Sequence, residues 1–450
     1  MIIEKSTAKG SVLCPPSKSM AHRHLICAAL AHGKSVIHNI DLSEDIKATL
    51  GCLKELGAEY EFSDGNVIIS GIPGVQEPSG AAADLTACDY KSSEPLVLNC
   101  NESGSTLRFF IPIVYYFGIP ALFKGSQVLM TRPQDVYKKI AEEEKLEFLQ
   151  TQEGIRISGQ LKSADFKVPG NISSQFITAL LFVLPLLKED STIELTGGVE
   201  SKPYIDMTLQ VQVLFGVKAM WINENTLKIP GGQKYKNCES TVEGDYSNAA
   251  FLEAFNFLGV DVSDTSSGNV CDDSSGSSCG KSSMSVTGDY SGDSSGKVHV
   301  GGLNPESLQG DKIYREYFRK LHSSYAKLDI SDCPDLGPIL FVMAAANHGG
   351  EFTGTKRLAI KESDRGKVMC QELQKFGVKT LFEENRIVIF KSQLKAPEEA
   401  VEGHNDHRIV MALTTLLTLT GGKITDAHAV RKSFPGYFNV ISSLGIKIRE

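Results

Sequence analysis

The chain has 450 residues, 41% hydrophobic and 22% charged, with 46 Lys and Arg against 54 Asp and Glu for a net charge of −8. That balance fits a folded protein of two or three domains and excludes a general affinity for nucleic acid or anionic membrane. No apolar run approaches ~20 residues, so no membrane span is expected, and ten cysteines scattered without CxxC pairs fit reduced thiols in a cytoplasm.

The opening "MIIEKSTAKG" lacks the apolar region of a signal peptide and the Arg/Ser-rich look of a transit peptide, which again predicts a cytoplasmic protein. From Ser17, "SKSMAHRHLICAALAHG" predicts a helix with a serine cap, an apolar run and a closing Gly33. Lys18 and Arg23 fall in its first two turns, where the helix dipole makes a cation unfavourable by roughly 0.3–1 kcal/mol. A bound anion would reverse that cost.

Two templates then alternate along the chain. One is a helix end, usually a glycine, and two short strands around a polar turn. It occurs at 53–71, 143–159 (without the glycine), 213–232 and 373–390. The other is a small polar or charged group followed by a long apolar helix. It occurs at 17–33, 103–118, 173–187, 245–259, 335–349 and 405–422. Six copies imply six repeated α/β units, with helices apolar nearly all round and therefore buried between sheets. After "LQGDKIYREYFRKL" the strand pair is missing, so one unit is expected to be truncated. Residues 263–297 fit neither template. With 24 of 35 residues Ser, Gly or Asp, they are expected to form a disordered insertion, and Cys271 and Cys279 have no partners at zinc spacing.

Lys18, Arg23, Arg108, Arg365, Arg408 and Lys432 lie near helix starts, and Arg132 lies on a loop. Taken singly, each fits a solvated face. Together with Ser19, Ser105, Ser173, Ser174 and Gln175 at other helix starts, they suit recognition of phosphate and carboxylate groups. "SKS" resembles the end of a P-loop, but the preceding glycines are absent. His404 and His407 are spaced for a metal pair, yet no third ligand stands nearby in sequence and capping is the better reading. Asp245 and Asp335 at helix starts read first as caps.

In this order and spacing, "PPSKSMAHR", "SGSTLRF", "SSQFITALL", "SKPYIDMTL", "VEGDYSNAAF", "PDLGP", "KESDR", "NDHR" and "RKSFPGYF" resemble the 5-enolpyruvylshikimate-3-phosphate synthase family, over nearly all of the chain except 263–297. The resemblance implies an α/β (α+β) fold of two domains, each of three βαβαββ units, with the active site in the cleft between them. The domains are expected at 17–243 and at 1–16 plus 244–450. It implies transfer of the enolpyruvyl (carboxyvinyl) group of phosphoenolpyruvate to the 5-hydroxyl of shikimate 3-phosphate by addition and elimination of phosphate. Shikimate 3-phosphate is expected on Lys18, Ser19, Arg23, Ser173, Ser174, Gln175, Ser201, Asp335 and Lys361. Phosphoenolpyruvate is expected on Lys18, Gly104, Arg132, Gln175, Arg365, Arg408 and Lys432. Asp335, Glu362 and Lys18 are the expected catalytic groups, and no metal or cofactor is needed. A monomer is expected. Ser105 and Arg357 depart from the family's usual residues at their positions. The alternatives are a UDP-N-acetylglucosamine enolpyruvyl transferase, which shares fold and donor, and a non-catalytic member of the fold.

Overall fold

The structure, a computed structural model, describes residues 1–75, 94–259 and 296–450. The predicted insertion 263–297 therefore lies outside the described residues up to position 295. All six predicted apolar helices form: Lys18–Ala29, Gly104–Phe117, Ser174–Val183, Tyr246–Glu253, Gly337–Ala346 and His407–Thr420. Ser17, Ser103, Ser173, Asp245 and Asp406 each cap one of them by accepting a hydrogen bond from an amide of the first turn. The exception is Gly337–Ala346, which follows a 3-10 turn and has no side-chain cap. Asp335 is thereby freed from the capping role its position suggests. Ser174–Val183 buries every residue except Gln175, at ~1.5–3 kcal/mol for each large apolar side chain.

Each four-stranded sheet repeats one topology. Two parallel strands lie side by side, joined by a helix in three of the four sheets, and a hairpin then adds its second strand antiparallel to the inner one. Asp165–Pro169, Ser191–Thr196, Thr226–Ile229 and Met220–Asn223 show it in order across the sheet. The sheets containing Leu96–Asn99 and Ala326–Asp329 follow the same plan. The unit around Lys34–His38 takes its outer parallel strand, Glu239–Thr241, from about two hundred residues away.

Two units differ. Strand Gly10–Leu13 pairs only with Val298–Gly301 among the described residues, and helix Tyr314–Ser323 leads directly to the next unit's Ala326–Asp329. This is the truncated unit. In the last unit, Ile2–Ile3 lies between Gly422–Lys423 and Ile448–Arg449, so the chain's beginning completes a sheet made by its end. The plan of three full units per half thus needs these two modifications.

Buried apolar side chains form two clusters, one drawn from residues 20–242 and the other from 3–14 and 246–446. The chain passes between them twice, side by side. Pro16 bridges Gly244, Ser17 N–H donates to Glu243 O at 2.8 Å, and Asp245 N–H donates to Pro15 O at 2.9 Å. Among the described residues no helix is long and apolar enough to cross a membrane, and seven cysteines are free.

Candidate active site

The helix starts converge on one cavity between the two clusters. Eight basic side chains and four carboxylates line it, in a chain whose overall charge is negative. Lys18, Ser19, Arg23, Gly104, Arg132, Ser173, Ser174, Gln175, Ser201, Asp335, Lys361, Glu362, Arg365 and Arg408 all reach it. Of the expected site residues, only Lys432 does not. Its ammonium donates to Asn405 O at 2.5 Å and pairs with Glu102, in an adjoining cavity. A carboxylate and a carbonyl satisfy the charge there, outside the cavity that the other expected residues share.

On the wall built by residues 17–243, guanidiniums are solvated by neutral groups. Arg23 donates through Nε to Thr208 Oγ1 at 2.8 Å, through Nη1 to Ser19 O at 2.6 Å, and through Nη2 to Tyr204 O at 2.8 Å. Arg108 donates to Gln175 Oε1 at 2.8 Å and lies 4.7 Å over the Phe176 ring. Gln175 in turn donates to Ser105 Oγ at 2.9 Å, tying two helix starts together. Neither arginine has a carboxylate within ion-pair distance among the described residues. Burial lowers both to about 10, and for Arg108 the neighbouring Arg132 adds to it. Both are charged at neutral pH. Arg132 has a buried Nε without a partner, and its Nη1 lies 2.6 Å from where a Cβ on Gly104 would stand. Lys18 is the exception on this wall, pairing with Asp45 at 2.7 Å.

The opposite wall is ion-paired around Arg365 and Asp335. Arg365, only 1% exposed, donates to Asp406 and Asp335 at 2.8 Å each and to Glu362 at 2.5 Å. Asp335 also meets Lys361 at 3.2 Å and Arg408 at 3.3 Å. Burial pushes the Asp335 carboxyl up, but Arg408, Lys361 and Arg365 outweigh it and hold it well below the usual carboxylate range. The same holds for Glu362, where burial is outweighed by Arg365, Arg132, His407 and Lys18. Both are ionised in the empty cleft. Asp335 is therefore unprotonated and able to accept a proton, with three side-chain cations rather than a helix dipole as the cause. Glu362 can donate a proton only after taking one up, when bound anions offset the cations around it.

Several residues of the site carried no signal of their own. Asp406 both caps helix His407–Thr420 and anchors Arg365. His407 is buried and held well below its usual range by burial and by Lys18; neither ring nitrogen has a hydrogen bond among the described residues, and Nδ1 lies 4.0 Å from Asp406 Oδ1. Tyr204 donates to Asp311 at 3.1 Å and approaches Asp335 at 3.4 Å. Asp311 is raised to about 6 by burial and by the Asp335 charge. Asp406 and His407 sit inside "NDHR", where adjacency to Arg408 was the available clue. His404 meets Glu372 and Glu402, ligand atoms lying within 4.8 Å of one another, which sequence spacing did not reveal. The Glu372 carboxylate there is already held by Lys375 at 2.8 Å and by the Glu402 amide at 2.8 Å.

A family model described as EPSP synthase (3-phosphoshikimate 1-carboxyvinyltransferase) matches residues 3–260 and 294–441. A 3-phosphoshikimate 1-carboxyvinyltransferase of Clostridium perfringens is 38% identical over 460 residues, covering 99% of this chain and 98% of that protein. One from Clostridioides difficile is 37% identical over 456 residues, covering 100% and 98%. An EPSP synthase structure from Acinetobacter baumannii matches with a TM-score of 0.70 at 19% identity, covering 100% of this chain and 99% of that one. This likeness establishes the fold.

Proposed function

The chain belongs to the EPSP synthase (3-phosphoshikimate 1-carboxyvinyltransferase) family, and from that premise we propose how its cleft carries out the reaction. The protein is an enzyme that transfers the carboxyvinyl group of phosphoenolpyruvate to the 5-hydroxyl of shikimate 3-phosphate and releases phosphate. This is a step of the shikimate pathway towards chorismate and the aromatic amino acids. The UDP-N-acetylglucosamine reading and the non-catalytic reading are not favoured by relatives of this name over the full length.

The observation that supports the division of roles is the contrast between neutral-solvated cations on one wall and carboxylate-paired cations on the other. Shikimate 3-phosphate lies along Ser19, Arg23, Ser173, Ser174, Gln175 and Ser201, with Asp335 and Lys361 opposite. Phosphoenolpyruvate lies on Gly104, Arg132, Arg365 and Arg408, with Lys18 and Gln175 between the two substrates. Lys432 joins the donor only by leaving Glu102.

In the addition step, the ionised Asp335 accepts the 5-hydroxyl proton as that oxygen bonds to the central carbon of phosphoenolpyruvate. Glu362, protonated once the donor's charges are in place, delivers its proton to the methylene carbon. Elimination returns the methyl proton to Glu362 while the carbon–oxygen bond to phosphate breaks, and the proton held by Asp335 leaves with the phosphate. Residues 17–243 and 1–16 with 244–450 act as two domains, and the protein works as a cytoplasmic monomer. Phosphate release with both substrates together, and with neither one alone, tests the assignment. Absence of release from folded protein would overturn it.

A further inference from the structure

We propose that Arg357 reads the phosphate of the acceptor, reaching it from the half of the molecule opposite to the serines around it. This rests on the reading of the cleft given above. Arg357 sits in the 3-10 turn Lys356–Ile360 and is 5% exposed. Its side chain crosses the cleft. Nε donates to Ile172 O at 3.1 Å and Nη1 donates to Ser201 Oγ at 2.5 Å, while a second bond from Nη1 runs to Ser331 O on its own side at 3.3 Å.

Nη2 makes no hydrogen bond among the described residues, although the side chain lines the cavity beside Ser173, Ser174 and Ser201. The nearest carboxylate oxygen paired with it, on the partly exposed Glu200, is 3.8 Å from Nη1. The guanidinium is therefore buried, fixed in orientation, and without a close counter-ion. Burial lowers its pKa, as expected for a charge left short of a partner.

The rest of the cavity narrows the role. Ser201 is the one acceptor-side serine held from the other half. Its amide donates to Asp332 Oδ1 at 2.7 Å, and its hydroxyl meets Arg357. Hydroxyls are neutral, and a phosphate dianion seated among them needs a cation oriented towards it. The forks of Arg365 and Arg408 are engaged with Asp335 and Asp406, and Arg23 is engaged with Thr208, Ser19 and Tyr204. Arg357 keeps one edge open beside Ser201, and a planar fork matches two phosphate oxygens where a lysine would offer a point charge. The shikimate ring, which lacks that phosphate, gains nothing from Arg357.

The test is a binding titration of shikimate 3-phosphate and of shikimate with wild type, Arg357→Gln and Arg357→Lys. Wild type is expected to prefer the phosphorylated acceptor. Arg357→Gln is expected to lose ~30-fold or more in affinity for shikimate 3-phosphate, while shikimate binding stays within about threefold. Arg357→Lys is expected to fall between, and it carries the comparison alone should the glutamine variant fail to fold. Equal weakening of both ligands would make Arg357 a general support of the cleft and overturn the proposal, as would no change in either. A wild type that binds neither acceptor would instead overturn the reading of the cleft, whatever Arg357 does.

Discussion

Arg23 and Arg365 are buried guanidiniums lining the same cavity, yet they are stabilised in opposite ways. Arg23 is surrounded by hydroxyl and carbonyl oxygens, and burial lowers its pKa to about 10. Arg365 is chelated by Asp335, Glu362 and Asp406, which together outweigh burial and raise its pKa. The first arrangement keeps a positive potential in the empty cleft and leaves a ligand to supply the missing charge. The second balances its own charge, Arg365, Arg408 and Lys361 against Asp335, Glu362 and Asp406. One wall holds its arginines among neutral groups and the other holds Arg365 among carboxylates. The lesson is that counting cations in a cleft says little until their partners are known.

The contrast is tested most severely at Asp335. Asp335→Asn is expected to lower turnover by ~10³-fold or more, with shikimate 3-phosphate still bound within about tenfold of wild type by titration. Turnover near wild type would deny the carboxylate-paired wall its chemical role. Next comes a matched pair, Arg23→Met and Arg408→Met. Both are expected to weaken substrate binding by ~10²-fold, in line with ~2–5 kcal/mol for a buried charge-assisted contact. Their effects on the empty protein should differ. Arg408→Met leaves Asp335 with one cation fewer and should lower the stability by ~1–3 kcal/mol. Arg23→Met removes a buried charge that has no counter-ion and should not. Equal losses in calorimetry would erase the distinction between the walls.

A smaller effect is expected at Asp311, whose folded pKa is raised to about 6. Between its ordinary value and 6, the folded state binds more protons than the unfolded one. Wild-type stability therefore falls as pH rises through that window, and the penalty is complete above it. Asp311→Asn removes the penalty, so its gain in melting temperature over wild type should be largest at pH 7 and shrink towards pH 5. A gain independent of pH would assign the effect to packing. The mildest change is Gly104→Ala. A Cβ there meets the end of the flexible Arg132 side chain, so stability should hold while the KM for phosphoenolpyruvate rises ~3–10-fold. A matching rise for shikimate 3-phosphate would place Gly104 elsewhere than the donor site.

The six apolar helices and the four paired strands were legible because their signals are local: a capping Ser or Asp, a run of large apolar residues, a β-branched hairpin. The truncated unit was legible too, since a missing hairpin leaves a gap in the pattern. The swapped strands were not. Glu239–Thr241 is three residues long, and Ile2–Ile3 two, and nothing in either names a partner hundreds of residues away. At the site, Lys18, Arg132 and Asp335 stood in recognisable motifs. Asp311 and Tyr204 are ordinary residues until folding places them beside Asp335. Lys432 shows the converse, because a motif fixes where a side chain starts and not which neighbour takes its charge. Here Glu102, two residues before Gly104, takes it.

The strand Ile2–Ile3 at the centre of the last sheet sets an order on biosynthesis. Residues 17–243 have every strand of their sheets by Thr241, so that half can fold while the ribosome is still at work. In the other half Ile2–Ile3 is made more than four hundred residues before the strand beside it, Ile448–Arg449. That sheet closes only once residues 448–449 have been made, by a contact of very large sequence separation, which is the slow kind to form. Gly10–Leu13 stays a strand edge without its partner until Val298–Gly301 is made, and Ile2–Ile3 until Gly422–Lys423 and Ile448–Arg449 are, the period in which a nascent chain is most exposed to mispairing.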